Sequence, residues 1–291
     1  MTALDDSLAA YWASIDRPNT LRSYRGNWER WVAWLDGRAI SPLEVKPINV
    51  KEYLATMVGV GSAKATRGRA LTTIRSVYSA LVVDGLLAAN PAREVKNPKV
   101  SAKPRTPWID DEAARKMVES MPSGTWREAR DRICVLIVLF MGLRRWEVAK
   151  LCVEEFSKNG TRLKTEVKGG KVETFGVPPT LMQEILAWRE FACISSGVLL
   201  PRSPVDPRPV SPRMVYSIVR DAGKRVGVKV APHGLRRSFI TILRRRGADI
   251  RDLQKAVGHE SVTTTERYDR DGSVGAPGEG MAAVLGLVEK G

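Results

Sequence analysis

The stretch ICVLIVLFMGLRRWEV, residues 133–148, sets the architecture of the second half of this sequence. Residues 133–141 are apolar on every face, and an all-round apolar pattern predicts a fully buried helix. Gly142 follows, a residue type that commonly ends helices because it tolerates a left-handed backbone. Two cations, Arg144 and Arg145, come next. The stretch therefore predicts a core helix that ends at a glycine and is followed at once by arginine.

The first hundred residues are predicted to be helical. In residues 19–36 apolar side chains recur every three or four positions, which is typical of one buried helical stripe. Asn19 or Thr20 can cap the start of this helix, and Gly37 can end it. Residues 66–83 repeat the pattern. Arginines lie largely on the other faces of both helices, where a solvated surface and contact with phosphate are both open.

The composition favours a nucleic-acid partner. The 291 residues carry 47 Lys and Arg against 32 Asp and Glu, a formal charge of +15 that is spread over both halves of the chain. Such a charge suits a polyanion, nucleic acid before an acidic membrane. Three scattered cysteines do not form a disulfide framework, and two histidines are too few for a Cys/His zinc site.

No membrane or secretion signal is recognised in the sequence. The longest apolar run, residues 133–143, is shorter than the ~20 residues that span a bilayer. The first residues lack a basic segment followed by an apolar one, so no signal peptide is expected. We expect a soluble cytoplasmic protein without metal or cofactor, since a Walker-type phosphate loop and a carboxylate cluster for two metals are also missing from the pattern.

A proline-rich basic segment divides the chain. Residues 96–107 have no apolar period, which predicts a semi-rigid extended linker. We expect a helical domain over residues 1–95 before it and a second domain over residues 108–270 after it. Residues 271–291 form a tail whose last part, residues 281–288, is predicted to be a short apolar helix.

The second domain mixes helices with a hairpin. Residues 162–178 change to an alternating pattern, and Gly169-Gly170 between Lys168 and Lys171 predicts a two-residue turn. A helix is predicted to start at residues 110–112, whose acids suit a first turn. Further helices are predicted over residues 179–191, 211–226, 234–246, 249–257 and 261–268. The fold class is therefore mainly α with a small β-hairpin, an α+β fold.

Four short segments carry polar chemistry in a fixed order. They are Gly142-Leu143-Arg144, Lys168 at the hairpin tip, His233-Gly234-Leu235-Arg236 at a helix start, and Gly258-His259 with Tyr268 nine residues after that histidine. Each alone has an ordinary explanation, such as a helix-terminal ion pair, an exposed lysine, a helix cap or a half-buried tyrosine. All of these explanations would have to hold together while preserving the order, so the ordered set is the signal.

This set resembles the tyrosine recombinases of the phage-integrase and Xer type, and residues 1–95 resemble that family's helical core-binding domain. The resemblance implies a two-domain architecture, with a core-binding domain joined to a mixed catalytic domain over residues 108–270. It implies a site-specific DNA recombinase that needs no metal, nucleotide or other cofactor. The catalytic residues that it implies are Arg144, Lys168, His233, Arg236, His259 and Tyr268.

These residue types suit the chemistry of a phosphodiester. Its displacement adds negative charge to the equatorial oxygens, which fixed donors must stabilise. Guanidinium groups stay protonated and bind two phosphate oxygens at once, so the resemblance assigns Arg144 and Arg236 to the scissile phosphate. It assigns further hydrogen bonds to His233 and His259. It makes Tyr268 the nucleophile, with a 3′-phosphotyrosyl linkage and a free 5′-hydroxyl as products.

Two of the assigned roles have a neighbouring residue as competitor, and one of them concerns proton transfer. His233 is a candidate acceptor for the phenol proton. Lys168 would protonate the departing 5′-oxygen, and Lys171 competes for that role, although the first lysine of the turn is preferred. Arg145 competes in the same way with Arg144, which the Gly-Leu-Arg frame favours.

Other basic residues are predicted to contact the DNA backbone, with solvated charge as the alternative. They are Arg22, Arg25, Arg67, Arg69 and Arg75 in the first domain, Lys103 and Arg105 in the linker, and Arg145, Lys171, Arg237 and Arg244 in the second domain. Glu147 is expected to orient its helix rather than act on substrate.

The partners implied are double-stranded DNA core sites and copies of the same chain. We expect a homotetramer on two duplexes, a monomer or dimer off DNA, and room for an accessory directionality factor. The first domain starts near residue 5, so a simple recombinase acting on short core sites is expected. The C-terminal helix could dock on its own domain or on a neighbouring protomer.

Three other functions remain to be distinguished. A relaxing topoisomerase of type IB would use the same chemistry as a monomer, and its products would not join paired sites. A non-catalytic DNA-binding protein would form no covalent adduct. A metal-dependent nuclease would lose its cleavage activity in chelator.

Overall fold

The computed structural model describes residues 2–99, 107–167, 170–251, 253 and 281. The chain divides into two compact units, Met1–Ala102 and Lys103–Gly291, and each unit has a buried apolar core. Helices dominate both units, and small antiparallel hairpins complete the second. The predicted mainly α fold class with a small hairpin is confirmed.

The first unit is helical. Its helices are α1 Ala3–Ala13, α2 Pro18–Asp36, α3 Pro47–Gly59 and α4 Lys64–Val83. The expected caps at Asn19 and Thr20 are wrong, because Arg17 occupies the cap position and Pro18 opens α2. Proline suits that place, since its ring presets a helical φ and the missing N–H would have had no partner there.

Helices α2 and α4 pack side by side through two buried hydrogen bonds. The Asn27 side-chain amide donates to the Thr73 hydroxyl at 3.0 Å, and the Trp31 indole N–H donates to the Tyr78 hydroxyl at 3.2 Å. Both pairs advance in the same direction along the two helices, so the helices run parallel and their N-terminal halves are neighbours.

The second unit alternates helices with two hairpins. Its helices are α5 Asp111–Glu119, α6 Trp126–Met141, α7 Arg145–Lys150, α8 Pro179–Phe191, α9 Pro212–Arg225 and α10 Pro232–Arg245. Its strands are β1 Arg162–Glu166 paired with β2 Val172–Gly176, and β3 Pro201–Ser203 paired with β4 Asp206–Pro209. The predicted hairpin is confirmed, with Leu163 opposite Phe175 and both side chains buried. The predicted two-residue turn is wrong, because Glu166 pairs with Val172 and the Val167 N–H donates to the Lys171 carbonyl, which leaves three residues between Val167 and Lys171.

Helix α6 forms the centre of this unit's core. Every residue from 133 to 141 is buried, at most 3% exposed, so the prediction of a fully buried helix is confirmed. The helix begins with a reciprocal cap, in which Thr125 accepts from the Glu128 N–H and Glu128 accepts from the Thr125 N–H. It ends at Gly142, whose φ of +58° lies in the left-handed region.

Several elements were not located from the pattern. Helix α7 has 6 residues, too few to show a helical period. Strands β3 and β4 begin and end with prolines, Pro201 and Pro209, which argue against a strand in sequence analysis. Residues 250, 251 and 253 are helical, as expected for the start of the 249–257 helix. The predicted helix over residues 261–268 lies outside the described residues.

Only one residue of the predicted C-terminal helix is described. Met281 is helical and fully buried in the core of the second unit, and the rest of residues 281–288 lie outside the described part. In the portions of the chain that the structure describes, none of the helices combines the length and apolar character needed to cross a membrane.

A close approach fixes the packing of α10. A Cβ atom added at Gly234 would lie 2.3 Å from the carbonyl oxygen of Pro107 and 3.0 Å from a methyl group of Val230. Backbone cannot be displaced as easily as a flexible side chain, so this position requires glycine in order for α10 to lie against residue 107.

We therefore predict that Gly234→Ala lowers the free energy of unfolding by about 1–3 kcal/mol, the usual cost of overpacking a core. Gly68→Ala is the matched control, because nothing lies within 4 Å of a Cβ at that helical position. It should be neutral or stabilising by about 0.5–1 kcal/mol through helix propensity. Denaturant unfolding of both variants tests the packing, and equal stabilities would contradict it.

Candidate active site

Arg144 is held at the end of the central helix by a buried acid. It occupies the cap position of α7, directly after the turn at Gly142 and Leu143. Glu147 accepts from the Arg144 backbone N–H at 2.6 Å and from its guanidinium Nη1 at 2.9 Å. The Glu147 side chain is 1% exposed and that of Arg144 is 25% exposed. One carboxylate thus fixes both the backbone and the side chain of this arginine, as expected for Glu147.

Arg236 joins its own motif, at the start of α10, to the Gly142-Leu143-Arg144 motif. Its Nη1 donates to the Gly142 carbonyl oxygen at 2.6 Å, across 94 residues of sequence. Arg236 is 2% exposed and lies on α10, whereas the carbonyl belongs to the glycine that ends α6. The last carbonyl groups of a helix lack partners within the helix and carry partial negative charge. The C-terminus of α6 therefore binds the Arg236 guanidinium.

His233 lies in the first turn of α10, beside these cations. Loss of surrounding water lowers the pKa of its imidazole below the ordinary value of 6.5, and the positive charges of Arg236, Arg144 and Arg237 lower it further. The residue as a whole keeps contact with solvent, so the imidazole is only partly desolvated. It is consequently neutral at pH 7 and able to accept a proton.

Three of the predicted catalytic residues cannot be placed. Lys168, His259 and Tyr268 lie outside the described residues. The structure does give the shoulders of the hairpin turn: the Val167 N–H donates to the Lys171 carbonyl at 2.7 Å, and Gly170 has φ +78°. The Lys171 side chain is exposed. The preference for Lys168 over Lys171 in protonating the 5′-oxygen stays a prediction.

In the first unit most predicted DNA contacts lie at the surface. Arg22, Arg25 and Arg69 are exposed and Arg67 is partly buried. The parallel packing of α2 and α4 puts these four at the same end of the two helices, where neither first turn carries an acid. Helix N-termini add positive potential at that end.

Arg75 differs from the other arginines of α4. Its Nη2 donates to the Val95 carbonyl at 2.6 Å and its Nε donates to the Ala92 carbonyl at 3.2 Å. The guanidinium thereby anchors the segment that follows α4. Its predicted contact with DNA remains a prediction, with fewer donors left for it.

The remaining predicted contacts lie in the linker and the second unit. Lys103 and Arg105 are outside the described residues. Arg145 is exposed, whereas Arg244 is partly buried and donates to the Ala248 carbonyl at 3.1 Å, which ties the turn after α10. Arg237 is partly buried and lies over the ring of Trp108, with its guanidinium carbon 5.9 Å from the ring centroid.

Sequence reasoning missed the groups that hold the arginines in place. The acceptor for Arg236 is a backbone carbonyl, which no side-chain motif reveals. Ser238 was also missed: its hydroxyl accepts from the Ile109 N–H at 2.8 Å and donates to the Gly234 carbonyl at 3.1 Å. In the sequence, the only signal of these two contacts was a small residue at each position, Gly142 and Ser238. Within the described residues, no three acidic, His or Cys side chains cluster as metal ligands would.

Comparison with known proteins identifies the family. The Phage integrase family profile matches residues 107–272, and the profile of the phage integrase N-terminal SAM-like domain matches residues 12–85. The tyrosine recombinase XerC of Thermodesulfovibrio yellowstonii is 30% identical to this chain over 263 residues. The alignment covers 87% of this chain and 86% of that XerC. The chain belongs to the phage integrase family. It is a tyrosine recombinase, an enzyme of site-specific DNA strand exchange.

Solved structures share the fold of this recombinase. A lambda integrase dimer bound to a COC′ core site aligns with a TM-score of 0.73 at 16% identity, over 92% of this chain and 95% of the other. A lambda integrase tetramer bound to a Holliday junction has a TM-score of 0.73 at 15% identity, over 92% and 77%. XerH bound to its difH substrate aligns with a TM-score of 0.66 at 21% identity, over 86% of this chain and 75% of the XerH chain.

We predict a pH effect at His233 of the recombinase. The unfolded chain binds more protons than the folded one between the lowered pKa and 6.5, so the free energy of unfolding falls as the pH drops through that window. Replacing Arg237 by Gln removes one positive charge near the imidazole, so the titration midpoint of His233 should move upward towards 6.5.

Proton NMR can measure this, because the chain has two histidines and therefore two Cε1–H signals, which His233→Gln assigns. Arg213→Gln is the control, since Arg213 is exposed on α9 and does not act on this imidazole. A midpoint above 6.5 in the unmodified protein, or equal midpoints in both arginine variants, would contradict the prediction.

Proposed function

We propose that this recombinase cuts and rejoins DNA through a covalent 3′-phosphotyrosyl bond to Tyr268. The observation that supports this most is the hydrogen bond from Arg236 to the Gly142 carbonyl. It brings two motifs together from opposite ends of the catalytic unit, and the charges of both arginines act on His233. Such a group of fixed cations has the chemistry that a phosphodiester in displacement requires.

Arg144 and Arg236 would bind the non-bridging oxygens of the scissile phosphate. Each guanidinium presents several donors in a planar fork, so one edge can be held by protein while another meets phosphate. Glu147 and the Gly142 carbonyl hold the two forks in position before DNA arrives. Donors fixed in advance need no reorganisation when charge develops in the transition state.

Cleavage would exchange one bond to phosphorus for another. The Tyr268 oxygen attacks phosphorus, its proton passes to the neutral imidazole of His233, and the bond from phosphorus to the 5′-oxygen breaks. Lys168 gives a proton to that oxygen, and His259 donates a hydrogen bond to the phosphate. The bond from phosphorus to the 5′-oxygen is replaced by one from phosphorus to the tyrosine oxygen, so the phosphate remains a diester. A 5′-hydroxyl from a partner strand can therefore reverse the step without ATP or metal.

The two units would grip DNA together. We assign core-site binding to the helical first unit, with Arg22, Arg25, Arg67 and Arg69 on the backbone, and catalysis to the second. Strand exchange needs two duplexes, and we propose a tetramer of this chain around them. The lambda integrase tetramer on a Holliday junction supports that arrangement. An accessory protein that sets the direction of exchange is part of the same proposal.

We predict that Tyr268→Phe abolishes covalent attachment to DNA, because phenylalanine has no oxygen to attack phosphorus. The substrate is a pool of nicked duplexes with a randomised centre, in which loss of the short strand beside the nick traps the intermediate. Adducts are separated on denaturing gels, and the DNA recovered from them gives the site. The unmodified chain should form a protease-sensitive adduct, in chelator as well as in magnesium.

Tyr216→Phe is the matched control, since Tyr216 is exposed on α9 and should be dispensable for the adduct. An adduct that persists in Tyr268→Phe would refute the assignment of the nucleophile. Relaxation of plasmids without joined products from paired sites would instead indicate a topoisomerase.

A further inference from the structure

A short segment, which is extended over residues 107–110 and ends at the first residue of α5, lies along the helix that carries His233 and Arg236. This segment, residues 107–111, is called the strap. The Pro107 carbonyl faces Gly234, and the Ile109 N–H donates to the fully buried Ser238 hydroxyl at 2.8 Å. At the far end, Asp111 accepts two hydrogen bonds from the Arg246 guanidinium, at 2.9 and 3.1 Å. The strap therefore contacts α10 from its first turn to the residue after its last.

Trp108 is the central side chain of the strap. Two arginines of α10 lie over its ring, with the guanidinium carbon of Arg245 at 4.9 Å and that of Arg237 at 5.9 Å from the centroid. Cations are attracted to an aromatic face by the ring quadrupole, and tryptophan is the strongest of these rings. Trp108 thus holds two cations of the catalytic helix on one neutral side chain.

Arg237 acts on the same imidazole as the two arginines of the motifs. The positive charges of Arg144, Arg236 and Arg237 all lower the pKa of His233, beyond the effect of burial. Like charges repel, so contacts that hold each guanidinium in place favour one fixed arrangement. The indole face of Trp108 is one such contact of Arg237, and it carries no charge of its own.

We propose that the strap fixes the position of α10 for catalysis. In this proposal Trp108 is a positioning residue for strand cleavage, and it acts through Arg237. This inference rests on the proposed function of the second unit. It predicts that Trp108 affects the rate of phosphotyrosyl formation rather than the affinity for DNA, because the strap contacts the helix of the catalytic side chains.

The test compares variants of the full chain on one duplex recovered from the randomised pool by the unmodified protein. The rate of adduct formation is measured against protein concentration, which separates the maximal rate from the half-saturating concentration. Trp108→Leu removes the aromatic face and keeps an apolar side chain. We expect its maximal rate to fall about tenfold, the size expected for the loss of two such contacts, with half-saturation unchanged within about twofold.

Trp108→Phe retains an aromatic face and should restore the maximal rate to within about threefold of the unmodified protein. Trp126→Leu is the matched control. Trp126 also has an arginine over its ring, with the guanidinium carbon of Arg130 5.6 Å from the centroid, but Trp126 lies at the opposite end of α6 from Gly142. The two ends of α6 are about 24 Å apart. The maximal rate of Trp126→Leu should therefore stay within about twofold of that of the unmodified protein.

Arg245→Gln provides a second test that leaves the core intact, since Arg245 is exposed. It should lower the maximal rate about threefold alone and have no further effect in the Trp108→Leu background, because both changes remove the same contact. If Trp108→Leu does not unfold cooperatively, Arg245→Gln decides by itself, and an unchanged rate would refute the inference.

The remaining outcomes are equally decisive. A maximal rate in Trp108→Leu equal to that of Trp126→Leu would overturn the role of Trp108, and so would weaker DNA binding at an unchanged maximal rate. A Trp108→Phe rate as low as that of Trp108→Leu would also overturn it. Absence of adduct with the unmodified chain would overturn the proposed function and this inference with it.

Discussion

The hydrogen bond from the Arg236 guanidinium to the Gly142 carbonyl is the contact on which the catalytic unit depends. A guanidinium that is 2% exposed has lost most of its hydration, so it must find acceptors inside the protein. The C-terminus of α6 supplies one, and its partial negative charge is screened little by solvent at that depth. The buried helix is therefore both the centre of the core and the electrostatic anchor of the site.

The charge balance of the site follows from that anchor. Glu147 compensates Arg144, and the helix terminus compensates part of the charge of Arg236. Neither removes the positive field, which adds to the effect of burial in lowering the pKa of His233. The proposed role of the site, binding the scissile phosphate, agrees with this positive field. The strap adds a neutral aromatic contact for Arg237, which preserves the same field.

The arginines of the first unit differ in their contacts within the protein. Arg22, Arg25 and Arg69 are exposed at the neighbouring ends of α2 and α4. Arg75, about 1.7 turns further along α4 than Arg69, donates to two backbone carbonyls. The same residue type on one helix is thus exposed in one place and structural in another, and the buried Asn27–Thr73 bond keeps the two helices in register.

Local pattern was enough for the long elements and the motifs, because period and turn chemistry are local properties, whereas α7, β3 and β4 are too short or too rich in proline to show a period. The all-apolar run before Gly142 predicted the buried helix, alternation around Gly170 predicted the hairpin, and the ordered motifs predicted the family. Contacts between distant segments were decided by the tertiary structure. The partners of Arg236 and Ile109 lie 94 and 129 residues away. No local period encodes which backbone group meets a side chain after such a separation, and only packing of α6, α10 and the strap around one core determines it.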